Sequence, residues 1–69
     1  MNVGEKIKEL RIEKGLSQKQ FASLIGVSQK AIDYWERGIN EPKISYVIAI
    51  VKACNLTFEE FFADIKIDE

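Results

Sequence analysis

The chain has 69 residues, ten Lys or Arg, eleven Asp or Glu, one cysteine and no histidine. That length holds one small domain with a modest core, and one cysteine excludes both an internal disulfide and a zinc site, so no metal or cofactor is expected. Without histidine, general-base chemistry falls to carboxylates, and the pairs Glu59–Glu60 and Asp68–Glu69 are merely adjacent in sequence, so an enzyme is not expected.

The segment opening the chain is charged and has no apolar block, and the longest apolar run, Val47 to Val51, is far too short to span a membrane. Neither a leader peptide nor membrane association is expected. A lone thiol suits a reducing cytoplasm.

Net charge is −1, which speaks mildly against a nucleic-acid partner. Its distribution softens that. Residues 59–69 hold five acidic residues against Lys66, a net −4, leaving +3 on the rest. Binding depends on the field at the contacting face more than on the total.

Taken in order, the chain predicts five helices and an all-α fold in one domain over residues 1–69. Val3, Ile7, Leu10 and the aliphatic stem of Lys14 line one face of a first helix that Gly15 ends. Ser17-x-x-Gln20 is a capping-box pattern opening a second helix. In that helix Phe21, Leu24 and Ile25 form an apolar stripe, with small Ala22 beside it where a neighbouring helix comes close. Gly26 suits the left-handed conformation that ends a helix, Val27 plugs the turn, and Ser28 caps the third helix. Ile32 and Trp35 lie three apart on that helix, which runs from about Gln29 to Arg37 before Gly38. Their phase makes Trp35 a core residue rather than a base-stacking one.

Residues 38–43 read as a loop, because the residue before Pro42 is biased away from helix. Ile44, Val47, Ile50, Val51 and Cys54 recur at helical spacing up to Asn55. The run ISYVIAIV has strand propensity, but a lone strand would find no partner here, so a helix is predicted. Thr57-x-x-Glu60 is a second capping box, opening a short fifth helix that carries Phe58, Phe61 and Phe62. The alternation of Ile65 and Ile67 is too short to read as a strand.

Two short helices broken at a glycine, over residues 18–37, have the spacing of a helix-turn-helix. In DNA-binding proteins that arrangement sets its second helix in the major groove. Moreover, LRIEKGLSQKQFASLIGVSQKAIDYWERGINEP resembles the phage repressor and Cro-type helix-turn-helix family, the large bacterial XRE-like group. The resemblance runs from about Val3 to Phe62. It includes the L-R-x-x-K-G-L-S-Q entry, the G-V-S turn, the W-E-R-G exit and Pro42. It implies a compact five-helix fold with the third helix as reader, and a cytoplasmic dimer on a two-fold, palindromic DNA operator. Recognition helices would then stand about 34 Å apart.

Gln29 and Lys30 lead the third helix and are candidate base contacts, glutamine for adenine and lysine for guanine. Tyr34 lies on the same side at a position that often reaches bases in the family. Asp33 is a further candidate, able to accept from cytosine N4 but repelling phosphates. The resemblance makes Gln18 a phosphate ligand beside the N–H groups of a helix start. Ser28, Arg37, Asn40 and Lys43 are phosphate candidates by position or charge. Lys43 replaces the Ser or Thr usual in the family, so Ser45 is an alternative cap for the fourth helix. The resemblance also pairs Arg11 with Glu36 in a structural salt bridge that presents Arg11 near a phosphate. For each polar position the plain alternative is a solvated helix face.

Apolar residues crowd the C-terminal half beyond what one small core needs. Residues 44–67 are therefore a candidate dimerisation segment, with Ile48, Phe62 and Ile65 at the interface. Cys54 fits packing better than redox chemistry. The leading expectation is a sequence-specific double-stranded DNA-binding transcriptional regulator, a repressor of phage, prophage or mobile-element type that reads the major groove with the third helix. The alternative is an antitoxin or adaptor that uses the fold to hold a protein partner.

Overall fold

The computed structural model describes residues 1–66, and its elements are all helical. They are α1 (Val3–Glu13), α2 (Gln18–Ile25), α3 (Gln29–Glu36), α4 (Ile44–Ala53) and α5 (Phe58–Phe62). Helix α3 is the hub, packed on both α1 and α2, while α4 closes against α2 and carries α5. No helix among the described residues is long and apolar enough to cross a membrane.

Short polar side chains fix the helix starts. The Ser17 hydroxyl accepts from the N–H of Gln20 at 3.0 Å, and the Gln20 side chain accepts from the N–H of Ser17 at 2.9 Å. Thr57 and Glu60 repeat this at α5, and Asn2 and Glu5 at α1. Each such cap is worth about 1 kcal/mol. At α1 the local signal for the cap is N-x-x-E, with Asn2 in the place of the usual Ser or Thr. Helix α4 differs. Lys43, not Ser45, holds its N-cap position, with extended backbone, and the Lys43 carbonyl already accepts from Tyr46 and Val47. Ser45 therefore lies inside the helix, and no side chain caps it.

The core is built from Ile7, Leu10, Phe21, Ala22, Ile25, Ile32, Trp35, Val47, Ile50, Val51 and Phe61. Val27 packs against it from the turn, and Cys54 from the end of α4. Burial and a nearby Glu13 carboxylate push the Cys54 thiol above its ordinary pKa, against a lowering from Lys14.

Three expectations about burial are corrected. Leu24 is 50 % exposed, because α2 turns Phe21, Ala22 and Ile25 inward and Leu24 falls at the margin of that face. Lys14 is exposed at the C-cap of α1, beyond the last inward turn. Ile44 is 65 % exposed, since α4 meets the core only from Val47 onward. Of the α5 phenylalanines, Phe61 alone is buried; Phe58 and Phe62, four apart, point outward.

One close approach sets the position of α3. Gly4 is buried against the backbone of Trp35, and a Cβ there would overlap the Trp35 carbonyl oxygen. The absent side chain thus lets the first turn of α1 rest directly on the end of α3. Nearby, Lys6 is buried but paired, its Nζ 3.1 Å from Glu9 and 3.6 Å from Asp64. The hydrogen bond to Glu9 is the main reason its pKa stands above the ordinary value. The N–H of Lys66 donates to the Met1 carbonyl, so the segment after α5 runs back to the start of α1. Ile67, the end of the expected dimerisation segment, lies outside the described residues.

Candidate nucleic-acid interface

The turn between α2 and α3 follows from three residues. Gly26 takes φ +85° and donates to the Ala22 carbonyl, which also accepts from Val27. The chain can then reverse, and the Ser28 hydroxyl accepts from the N–H of Ala31 at 3.1 Å. Helix α3 starts on that cap with its inner side, Ile32 and Trp35, buried.

Polar contacts hold the same helix in place. Arg11 Nε lies 2.7 Å from Glu36 Oε2, and its Nη2 lies 3.0 Å from Oε1. A third guanidinium contact, Nη1 to the Leu16 carbonyl at 2.9 Å, ties in the loop before α2. Glu36 is 4 % exposed and Arg11 14 % at the side chain. The Glu36 carboxylate, mainly through its hydrogen bond, holds the Arg11 pKa above the ordinary value against desolvation. Three of five N–H groups are spent inside the protein, leaving Arg11 two for any phosphate.

Gln18 joins this network. Its Nε2 donates to Glu36 Oε1 at 3.2 Å and to Asp33 Oδ1 at 3.3 Å. Both amide hydrogens are thus engaged, so a phosphate would meet the helix start itself. There the N–H groups of Gln18 and Lys19 have no partner among the described residues.

Gln18, Gln29, Lys30, Asp33 and Tyr34 line one open depression of about 560 Å³. Gln29 and Lys30 are exposed, and Asp33 and Tyr34 half-buried. Lys30 Nζ sits 5.3 Å and Arg37 Cζ 5.6 Å from the centre of the Tyr34 ring, so two cations flank one aromatic face system. Arg37 also pairs with Asp33, at 3.0 Å from Nη2 and 3.1 Å from Nε.

The remaining phosphate candidates stand apart. Ser28 is at the N-cap of α3 and Lys43 at that of α4, both exposed. Asn40 lies in the loop after α3 and lines a different depression, with Asn2, Gly4, Trp35 and Glu41 among its walls. The interface candidates Ile48 and Phe62 are exposed, whereas Ile65 is half-buried against the core. Exposed Ile44, which its helical spacing placed inward, and exposed Phe58 add to the apolar surface of α4 and α5.

A capped, glycine-turned helix pair with a buried inner side and a polar outer side defines a helix-turn-helix domain. A family model described as helix-turn-helix matches residues 7–61. The chain belongs to that family, the XRE and Cro/C1-type DNA-binding transcriptional regulators, which are not enzymes. An uncharacterized helix-turn-helix-type transcriptional regulator of Rickettsia prowazekii is 31 % identical over 93 % of this chain and 49 % of its own length. The cryptic phage CTXphi transcriptional repressor RstR of Vibrio cholerae is 33 % identical over 86 % of this chain and 53 % of its own. The chain therefore spans about half the length of these curated relatives. Among solved structures, the P22 c2 repressor in complex with a synthetic operator superposes with a TM-score of 0.80. It is 29 % identical over 99 % of this chain and 98 % of that one.

Proposed function

We propose that this chain, acting as one domain in the cytoplasm of a bacterium, binds a specific double-stranded DNA operator and regulates transcription there. The observation that carries this is the division of α3. Ile32, Trp35 and Glu36 hold it from within, while Gln29, Lys30 and Tyr34 gather outside around one depression. Side chains so placed meet base edges when the helix enters a major groove. The start of α2, Ser28, Arg37, Asn40 and Lys43 then lie available to the phosphates, with Arg11 a minor contributor.

A repressor of phage, prophage or mobile-element type is the favoured role. Its support is similarity to the phage repressor RstR and to the P22 c2 repressor. A homodimer on a palindrome is the favoured assembly, with Ile48, Phe62 and Ile65 in the 44–67 segment at its interface. Its support is the exposure of Ile44 and Ile48, four apart on α4, and of Phe58 and Phe62, four apart on α5. The same exposed residues favour a second reading, an antitoxin or adaptor that holds a protein partner.

Selection from a random double-stranded DNA pool tests the proposal. Enrichment of a two-fold sequence is expected. A pool left unenriched rejects the regulator reading and favours the protein-partner one.

A further inference from the structure

The depression on α3 contains a carboxylate, an unusual group to carry toward a polyanion. Its two oxygens are engaged by different elements. Gln18, from the start of α2, donates to Oδ1, and Arg37, from the C-cap of α3, donates to Oδ2. Oδ2 faces both Nε and Nη2 of Arg37, whereas Oδ1 accepts from Gln18 alone and keeps a second lone pair, so the group is held without being used up. Arg37 is likewise shared between Asp33 and the Tyr34 ring.

Within a groove, such a carboxylate is tolerated only opposite a donor. Cytosine N4 and adenine N6 present amines there, whereas guanine O6 and N7 and thymine O4 present acceptors. Two facing acceptors leave neither with a proton, and the carboxylate also repels phosphates that lie within a screening length of about 8–10 Å. Recognition thereby gains a repulsive element against wrong sequences.

We propose that Asp33 is a specificity-determining residue of this surface, a positioned acceptor for a base amine, cytosine first, whose charge penalises DNA without an amine at that place. Gln18 and Arg37 are its positioning residues. The inference rests on the DNA-binding reading above.

The test compares the full wild-type chain with Asp33→Asn, Asp33→Glu and Arg37→Gln. Each is selected against random DNA and titrated with the selected site and with random duplex at two salt concentrations. The wild type is expected to enrich cytosine at one position of the site, and Asp33→Asn to lose that preference. Affinity of Asp33→Asn for random duplex should rise about three- to tenfold, since one opposing charge is gone. Its ratio of specific to random affinity should fall at least about fivefold. Asp33→Glu keeps the charge but displaces it, so it should retain weak random binding while losing the base preference. Arg37→Gln should keep the preference in shallower form. Enrichment of adenine at that position would assign the amine to N6 and sustain the proposal. A wild-type site that Asp33→Asn and Asp33→Glu read unchanged, or equal shifts on both DNAs, overturns it. A wild type that selects no sequence overturns the DNA-binding reading itself, and this inference with it.

Discussion

Arg11 and Glu36 meet across 25 positions of sequence as a two-pronged ion pair, with Glu36 almost wholly out of water. The pair joins the end of α1 to the end of α3. Removing one partner strands the other's charge in a poorly solvated place. Arg11→Ala and Glu36→Ala should each cost about 3–5 kcal/mol, read from urea unfolding midpoints. A loss below about 1 kcal/mol would mean the pair behaves like an exposed one.

Gly4→Ala should destabilise although alanine favours helix. The new methyl meets the Trp35 carbonyl, a backbone group that cannot swing aside. A penalty of about 1–3 kcal/mol is expected from such overpacking, measured by thermal melting. An unchanged or raised melting temperature would show that α1 moves away freely.

Gln29→Ala and Lys30→Ala should relax discrimination at individual base pairs by about 1–3 kcal/mol each, while leaving the fold intact. Equal losses on selected and random duplex would remove them from base reading. Gln18→Ala should lower stability and make the base preference set by Asp33 shallower, because its amide holds both Glu36 and Asp33.

Alkaline pH should loosen the fold. The Cys54 thiol is raised above 9.0 in the folded state, so the unfolded chain ionises first and stability falls as pH rises past 9.0. Lys6 is raised above 10.5 through Glu9; its contribution is complete below that pH and disappears as pH climbs through the folded value. Melting temperature measured from pH 7 to 11 should decline in that order, and Cys54→Ala should abolish the first part. A flat profile up to pH 10 would contradict the thiol assignment.

Ile48→Glu and Phe62→Glu should leave a folded monomer if α4 and α5 form the contact between copies. Sedimentation of the wild type at micromolar concentration should show a dimer. A strict monomer, free and on DNA, would remove that assignment.

What could be read from the sequence was whatever a few neighbouring residues decide. Gly26, Ser28, the Ser17–Gln20 box and the Thr57–Glu60 box announce helix ends because their partners are three or four residues away. Burial by phase worked for Phe21, Ile25, Ile32 and Trp35 and failed for Leu24 and Ile44, which sit where a stripe ends. No local pattern says whether another helix covers such a margin. Gly4 was silent for the same reason: its role is defined by Trp35, far along the chain. The exposed placement of Gln29 and Lys30 was legible from their position at the helix start. The ties of Gln18 to Asp33 and Glu36 were not, because they depend on how α2 lies against α3.

Helix α3 keeps its anchors and its outward side chains on separate residues. Ile32, Trp35 and Glu36 bind it to the rest of the protein; Gln29 and Lys30 make no hydrogen bond from their side chains to other described residues. Exchange of the outer pair therefore leaves the scaffold's stability nearly untouched. On the proposed base-reading role of Gln29 and Lys30, a population of such chains can drift to new operators without first surviving an unfolded intermediate, and an engineer can retarget the domain by the same route.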